Sequence, residues 1–206
     1  MVRKHFFSGI SAGLLVGIGG AVFLACESRI AGAVLFSVAL VGICLLGLSL
    51  FTGRVGYLVA SHGKDDWTSL VAALAGNFVG AALCARLVAW GRPEAAQAAV
   101  TLCAGKLDKA LLSALPSGFL CGVLMYAAVQ SYRAKNTCLG ILLCIPAFIL
   151  SGFEHSIADM FYFALAAIGG LGGLSVLWFL LLVIAGNALG GCFLPLLDRL
   201  SGGITK

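Results

Sequence analysis

Ser151-Gly152-Phe153-Glu154-His155-Ser156-Ile157-Ala158-Asp159-Met160-Phe161-Tyr162 lies between two apolar runs, residues 138–150 and 161–168. Three ionisable side chains therefore sit in the middle of one hydrophobic segment. At membrane depth such groups are costly, and they face a cavity, a pathway or one another. Gly152 opens the stretch, and glycine tolerates a break in a helix. The segment reads as an interrupted transmembrane helix that presents His155 to a permeating solute.

The rest of the composition agrees with a membrane solvent. Of 206 residues, 61% are apolar and only 10% charged, and the mean hydropathy is +1.09. A soluble domain of this length would need a charged exterior, whereas a bilayer suits this composition. At about 20 residues per crossing, the chain has room for about six spans with short loops. We therefore expect an all-α membrane protein forming one transmembrane domain over residues 1–206.

The eight cysteines mostly lie in apolar runs, make no CxxC and have no histidine at zinc-ligand spacing. They read as small buried hydrophobes, and no metal or cofactor is expected. The net charge of +5 is spread over loops, so it informs topology and gives no nucleic-acid footprint. No small-x-small site closes the first apolar run before Cys26-Glu27, so a cleavable signal peptide is not expected.

In chain order, spans are expected at residues 6–25, 30–50, 69–90, 111–129, 138–168 and 174–197. A short surface helix should follow Pro93, and residues 169–173 should form a turn. The second span is expected to break at Phe51-Thr52-Gly53-Arg54, because a continuous helix would carry Arg54 into lipid. The fifth breaks at residues 151–155. The third and sixth spans both carry G-N-x-x-G, at Gly76-Asn77 and Gly186-Asn187. Three spans per half make residues 5–90 and 109–198, approximately, an inverted repeat in which broken helices meet near the midplane.

Basic residues set the orientation. Arg3, Lys4, Lys64, Arg133, Lys135, Arg199 and Lys206 fall on the side of the termini, against Arg29, Arg92, Lys106 and Lys109. Seven against four places both termini in the cytoplasm of a cell (inner) membrane protein.

Gly152-Phe153-Glu154-His155-Ser156-Ile157-Ala158-Asp159-Met160 resembles the fifth-helix signature G-F-E-H-S-[VI]-A-N-M of the formate/nitrite transporter family. Leu50-Phe51-Thr52-Gly53 resembles that family's broken second helix, and Gly76-Asn77 and Gly186-Asn187 fall in its third and sixth helices. The resemblance covers essentially the whole chain. It implies a six-helix, aquaporin-like protomer in a homopentamer, one pore per protomer, conducting small monovalent anions such as formate, nitrite, hydrosulfide, acetate or lactate.

By the same resemblance, His155 is the central histidine and Thr52 the threonine across from it. Leu40, Leu50 and Phe51 are similar to the cytoplasmic constriction; Phe36, Met125 and Phe148 are similar to the outer one. The chain departs from the pattern in three places. Gly122 stands where many members have a pore-lining Asn, Asp159 replaces the signature Asn, and Arg54 follows Gly53 where an uncharged residue is usual. The fourth span also lacks the lysine that one subgroup carries. The missing side chain at Gly122 is expected to leave space beside His155 and Thr52, and hence broad selectivity among weak-acid anions.

The chemistry follows from desolvation. A dry slit opposes a bare anion, so a cation must attract it or a proton must neutralise it. Imidazole titrates near ~6.5, and His155 can supply either; Thr52 adds a hydroxyl. Helix N-termini at the breaks add positive dipole ends. Glu154 points about 100° from His155 in a helix, which suits bonding to exposed backbone ends or an inter-subunit contact. Asp159, at i+4 from His155, either raises the imidazole's proton affinity or caps a neighbouring helix. Arg54 suits attracting anions or capping backbone. A neutral-solute channel of aquaporin type would bring Asn-Pro-Ala to its breaks, and neither contains it. A membrane enzyme using His155 with Ser156 or Glu154 would pair sequence neighbours that rarely face each other, so a non-enzyme is expected.

Overall fold

Helix α1 (Val2–Ala25) packs along α4 (Lys64–Gly91) through glycine. Gly76 and Gly80 lie so close to the Phe6 and Ile10 carbonyls of α1 that a Cβ on either would strike backbone. The same seam recurs between α6 (Ala114–Lys135) and α9 (Leu174–Leu200), where Gly186 and Gly190 meet the Leu115 and Phe119 carbonyls. Close backbone approach supplies dispersion contact between helices when lipid offers no hydrophobic force to drive them together. The two G-N-x-x-G motifs are thus packing seams in both halves.

The computed structural model describes residues 1–202; Lys206, counted above for orientation, lies outside them. Between the seams run α2 (Arg29–Leu45), α3 (Phe51–Arg54) with a 3₁₀ turn (Val55–Val59), α5 (Glu94–Leu107), α7 (Leu139–Ser151) and α8 (Ser156–Ile168). Among the described residues there is no strand. Four helices (α1, α4, the Leu111–Lys135 segment containing α6, and α9) are each long and apolar enough to cross a membrane. The α7–α8 pair, bent by 52°, makes a fifth. Helix α2, at 17 residues, is a shorter apolar helix. Length and composition thus give four crossings, or five with the bent pair, and the second of the six expected spans corresponds to α2 with the short helices that follow it. The surface helix expected after Pro93 is α5, and the turn expected at 169–173 separates α8 from α9.

The break in the second span falls earlier than expected. Residues 51–54 are themselves helical, and the chain leaves the helix at residues 46–50. The cause is Gly47, which has φ +63°, as Gly152 has φ +71° after α7. Only glycine enters this left-handed region without steric cost. Each glycine turns the chain back, three residues return it extended toward the centre, and a new helix starts there.

Those two buried helix starts require hydrogen-bond partners, because a helix leaves its first N–H groups unsatisfied. Asn77 and Asn187, both fully buried, supply them. The Asn77 side-chain carbonyl accepts from the Phe51 N–H (2.9 Å), while its amide donates to the Gly9 and Ser49 carbonyls (both 2.9 Å). Asn187 accepts from the Ser156 N–H (2.8 Å) and donates to the Gly118 and Glu154 carbonyls (2.8 and 2.9 Å). One amide therefore ties together a returning strand, a helix start and a neighbouring long helix in each half.

The cysteines are all free thiols; three are buried and five half-buried. Large apolar side chains on the outer faces, such as Ile30, Val38, Leu143 and Leu174, are exposed, which suits lipid or a neighbouring subunit.

Asn77→Ala and Asn187→Ala each leave one N–H (Phe51 or Ser156) and one returning-segment carbonyl (Ser49 or Glu154) without the amide's bond, at about 1–3 kcal/mol per group. Each variant is expected to lower the thermal midpoint in detergent by several degrees, read by fluorescence-detected size exclusion. An unchanged midpoint would mean that the helix starts are satisfied without the amides.

Candidate functional site

His155 is the residue immediately before α8, and its ring caps that helix: Nδ1 accepts from the Ala158 N–H at 3.2 Å. A neutral imidazole has one donor and one acceptor nitrogen, so this network assigns the proton to Nε2. Nε2 lies 2.9 Å from Thr52 Oγ1 and donates to it, which leaves the Thr52 hydroxyl proton free to donate onward. The two returning segments thus meet through this bond, His155 from one half and Thr52 from the other. Both side chains are buried.

Phe148 stacks on the imidazole with centroids 5.7 Å apart and planes at 17°, and meets Phe36 edge-on at 6.4 Å. His155, Phe36 and Phe148 border a cavity of about 450 Å³ that Arg29, Lys106 and Lys109 also line. A second cavity, about 470 Å³, is bordered by Leu40, Leu50, Arg54 and Arg133. Phe36 and Leu40 are one turn apart on α2, so about 6 Å of helix rise separates the two floors. The histidine–threonine pair stands at this partition.

All six apolar side chains expected at the constrictions are buried, but they are not all at the cavities. Phe51 and Met125, although buried, border neither cavity; Phe36, Phe148, Leu40 and Leu50 do. Gly122 corrects a sharper expectation. A Cβ at Gly122 would run into the Asn187 carbonyl and lie 2.8 Å from the Gly191 nitrogen of α9. This glycine serves the α6–α9 seam and opens no space beside His155, so broad selectivity cannot be read from it.

The acidic residues are placed differently from both expectations. Glu154 and Asp159 converge on Lys106, which α5 carries in from the side: Nζ bonds Glu154 Oε2 and lies 3.0 Å from Asp159 Oδ1. Both carboxylates are almost fully buried, at 3% and 1% exposure. Glu154 gives its backbone carbonyl, rather than its carboxylate, to Asn187. Asp159 caps no neighbouring helix; its backbone N–H bonds the His155 carbonyl as an ordinary helical bond (2.9 Å), and its Oδ2 has no protein partner. Burial pushes the Lys106 pKa down, but the two carboxylates outweigh it, and the net shift is upward, so the ammonium stays charged.

By sequence order alone Lys106 falls among the outward basic residues. Its signal in the sequence was a lone lysine in Leu102-Cys103-Ala104-Gly105-Lys106-Leu107, an apolar helix end facing α8. Arg29 similarly leaves the loop: its guanidinium donates to the Ile149 and Leu150 carbonyls at the end of α7 (both 3.4 Å). Arg54 caps no backbone among the described residues and lines the second cavity. No group of three His, Cys, Asp or Glu side chains among the described residues is placed to hold a metal ion.

Comparison with known proteins agrees over the whole chain. The profile described as formate/nitrite transporter matches residues 1–198. The nitrite transporter NirC of Salmonella typhimurium is 30% identical, over 90% of this chain and 75% of that protein. The formate channel FocA of Haemophilus influenzae is 31% identical, over 76% of this chain and 64% of that protein. Among solved structures, an FNT family ion channel superposes with a TM-score of 0.85 at 26% identity, covering 97% of this chain and 90% of that one. A pentameric formate channel with formate bound shares the fold, with a TM-score of 0.82 at 23% identity over 98% and 97% of the two chains.

Lys106→Met strands two carboxylates in a buried site, a change that costs about 3–5 kcal/mol when one partner of a buried pair is lost. We expect that variant to lose thermal stability in detergent, and the triple variant Lys106→Met, Glu154→Gln, Asp159→Asn to regain most of it. If the single variant melts like the parent, the three groups are not acting as an ion cluster.

Proposed function

The chain belongs to the formate/nitrite transporter family, and on that premise we propose that it conducts small monovalent weak-acid anions, formate or nitrite foremost, through one pore per protomer. It is a multi-pass membrane protein. The proposed assembly is a homopentamer in the cell (inner) membrane, with both termini in the cytoplasm. The names of its relatives are those of channels and transporters, which supports transport rather than enzymatic turnover.

The observation that carries the reading is the bond between His155 Nε2 and Thr52 Oγ1 at a thin partition between two cavities. An anion reaching Phe36 and Phe148 from one side, or Leu40 and Leu50 from the other, meets an apolar floor that strips its water. Passing as the bare ion would cost far more than any single contact returns. The Thr52 hydroxyl can donate to the anion. His155 can protonate it only as imidazolium, after Nδ1 takes a proton from the solution in place of the Ala158 N–H bond. Transfer returns the ring to its neutral form, so the species crossing the floor is the neutral acid. Arg29 and Lys109 at the rim of this cavity draw anions toward the His155 side.

The inverted-repeat division at approximately 5–90 and 109–198 is supported by matched parts: the glycine turns at 47 and 152, the amides of Asn77 and Asn187, and the paired glycine seams. The cytoplasmic placement of the termini is supported by charge. Lys106 is consumed in the buried cluster, which leaves three outward basic residues against seven.

Purified protein in proteoliposomes should pass formate and nitrite, with hydrosulfide and lactate as comparison solutes. His155→Asn should keep the assembly, read by its elution volume, yet lose most of the acid-stimulated component of uptake. A variant whose uptake keeps the parent's dependence on pH would remove the proton-donating role from His155. Absence of flux for all four solutes in the parent would remove the transport reading itself.

A further inference from the structure

The cavity on the side where the chain begins and ends has a charge pattern unlike that of its counterpart. His5 of α1 bonds Ser49 (2.9 Å) and Arg199 of α9 donates to the Val59 carbonyl (3.1 Å), so both terminal helices close on this face. Arg54 is half-buried and Arg133 exposed at the mouth; both line the cavity, with no carboxylate among the lining residues. None of the ion pairs among the described residues involves either arginine. Asp66 borders Arg54 in a small adjoining pocket of about 70 Å³. Its Oδ2 is already taken by the Ser61 hydroxyl (2.7 Å) and the Gly63 N–H (3.0 Å). Across the partition, by contrast, Lys106 is neutralised by two acids.

The geometry around Arg133 is built rather than free. Its guanidinium lies over the Tyr57 ring, Cζ to centroid 4.0 Å, and the Tyr57 hydroxyl donates to Gln130 Oε1 at 2.9 Å. That contact holds the guanidinium at the edge of the cavity. A guanidinium carries five N–H donors, more than one aromatic neighbour can use, so donors remain for a ligand. Two guanidiniums in one largely apolar cavity repel, and the arrangement becomes favourable when an anion lies between them. A guanidinium fork matches an anion with two oxygens on one atom.

We propose that Arg54 and Arg133 form a binding site for a planar monoanion bearing two oxygens on one centre, a carboxylate or nitrite, in the cavity bordered by Leu40 and Leu50. The identity of the anion as the conducted solute rests on the proposed transport function, but its binding does not. Arg54 then acts as a specificity group that the other face lacks. Anions without a two-oxygen fork, chloride or hydrosulfide, gain only the field of the two charges.

The test is equilibrium binding to the detergent-purified chain, read by saturation-transfer NMR of the formate proton at constant ionic strength. The parent should show transfer that nitrite displaces and chloride does not. Arg54→Gln and Arg133→Gln, each checked for an unchanged elution volume, should weaken formate binding about tenfold, as expected when one charge-assisted bond is lost. Arg54→Lys keeps the charge and loses the fork, so it should fall between. In proteoliposomes the Gln variants should need higher formate for half-maximal uptake while reaching the parent's maximal rate. Binding equal to the parent in both Gln variants, or chloride displacing as well as nitrite, overturns the site. Formate binding without any formate flux in the parent would instead overturn the transport reading and leave this site standing.

Discussion

Two side-chain amides hold this structure at the place where it is least able to hold itself. A polypeptide that stops being helical inside an apolar slab exposes N–H and C=O groups that have no water to meet. Asn77 and Asn187 each answer two such groups and bond a third carbonyl on a neighbouring long helix. Everything at the centre depends on this. With the returning segment fixed, Leu50 and His155 come to equivalent places before their helices, and Thr52, two residues past Leu50, reaches the imidazole. An amide suits the task because it offers donor and acceptor from one planar group, and it carries no charge that would itself need a partner.

The two faces then diverge, although the backbone repeats. On one side a lysine enters laterally from α5 and is bound by two carboxylates that the same short segment supplies. On the other, two arginines face a cavity with no acid in its lining. The backbone of each half is constrained by the glycine turn and its amide. The side chains projecting from it are not, and that is where the halves acquired different chemistry.

Much of the centre was legible in the residues. Glu154, His155 and Asp159 inside an apolar run announced a break, and Gly152 marked its start. The repeated Gly-Asn pairs pointed to matched third and sixth helices, although their amides' role as helix-start partners required the tertiary contacts. The first break was misplaced because Gly47 lies in Leu45-Leu46-Gly47-Leu48-Ser49-Leu50, a run apolar enough to read as helix, and Arg54 drew the boundary toward itself. Gly122 was misread for a different reason. Its rotational phase on α6 is set by the glycine seam with α9, and that seam depends on a helix some 65 residues later in the chain. Lys106 was hidden likewise: a lysine near a helix end looks solvated until the helix is seen to lie on α8.

The thinness of the partition has an electrical consequence. Each cavity has room for water and mobile ions. With both filled by electrolyte, the membrane voltage would fall mainly across the single turn of α2 between Phe36 and Leu40, rather than over the full bilayer. A charge making that short step alone does nearly all the electrical work of crossing, about 2.3 kcal/mol per 100 mV. A neutral acid making the same step does none. The fold therefore concentrates the field at the one place where a histidine can decide whether the passing species is charged.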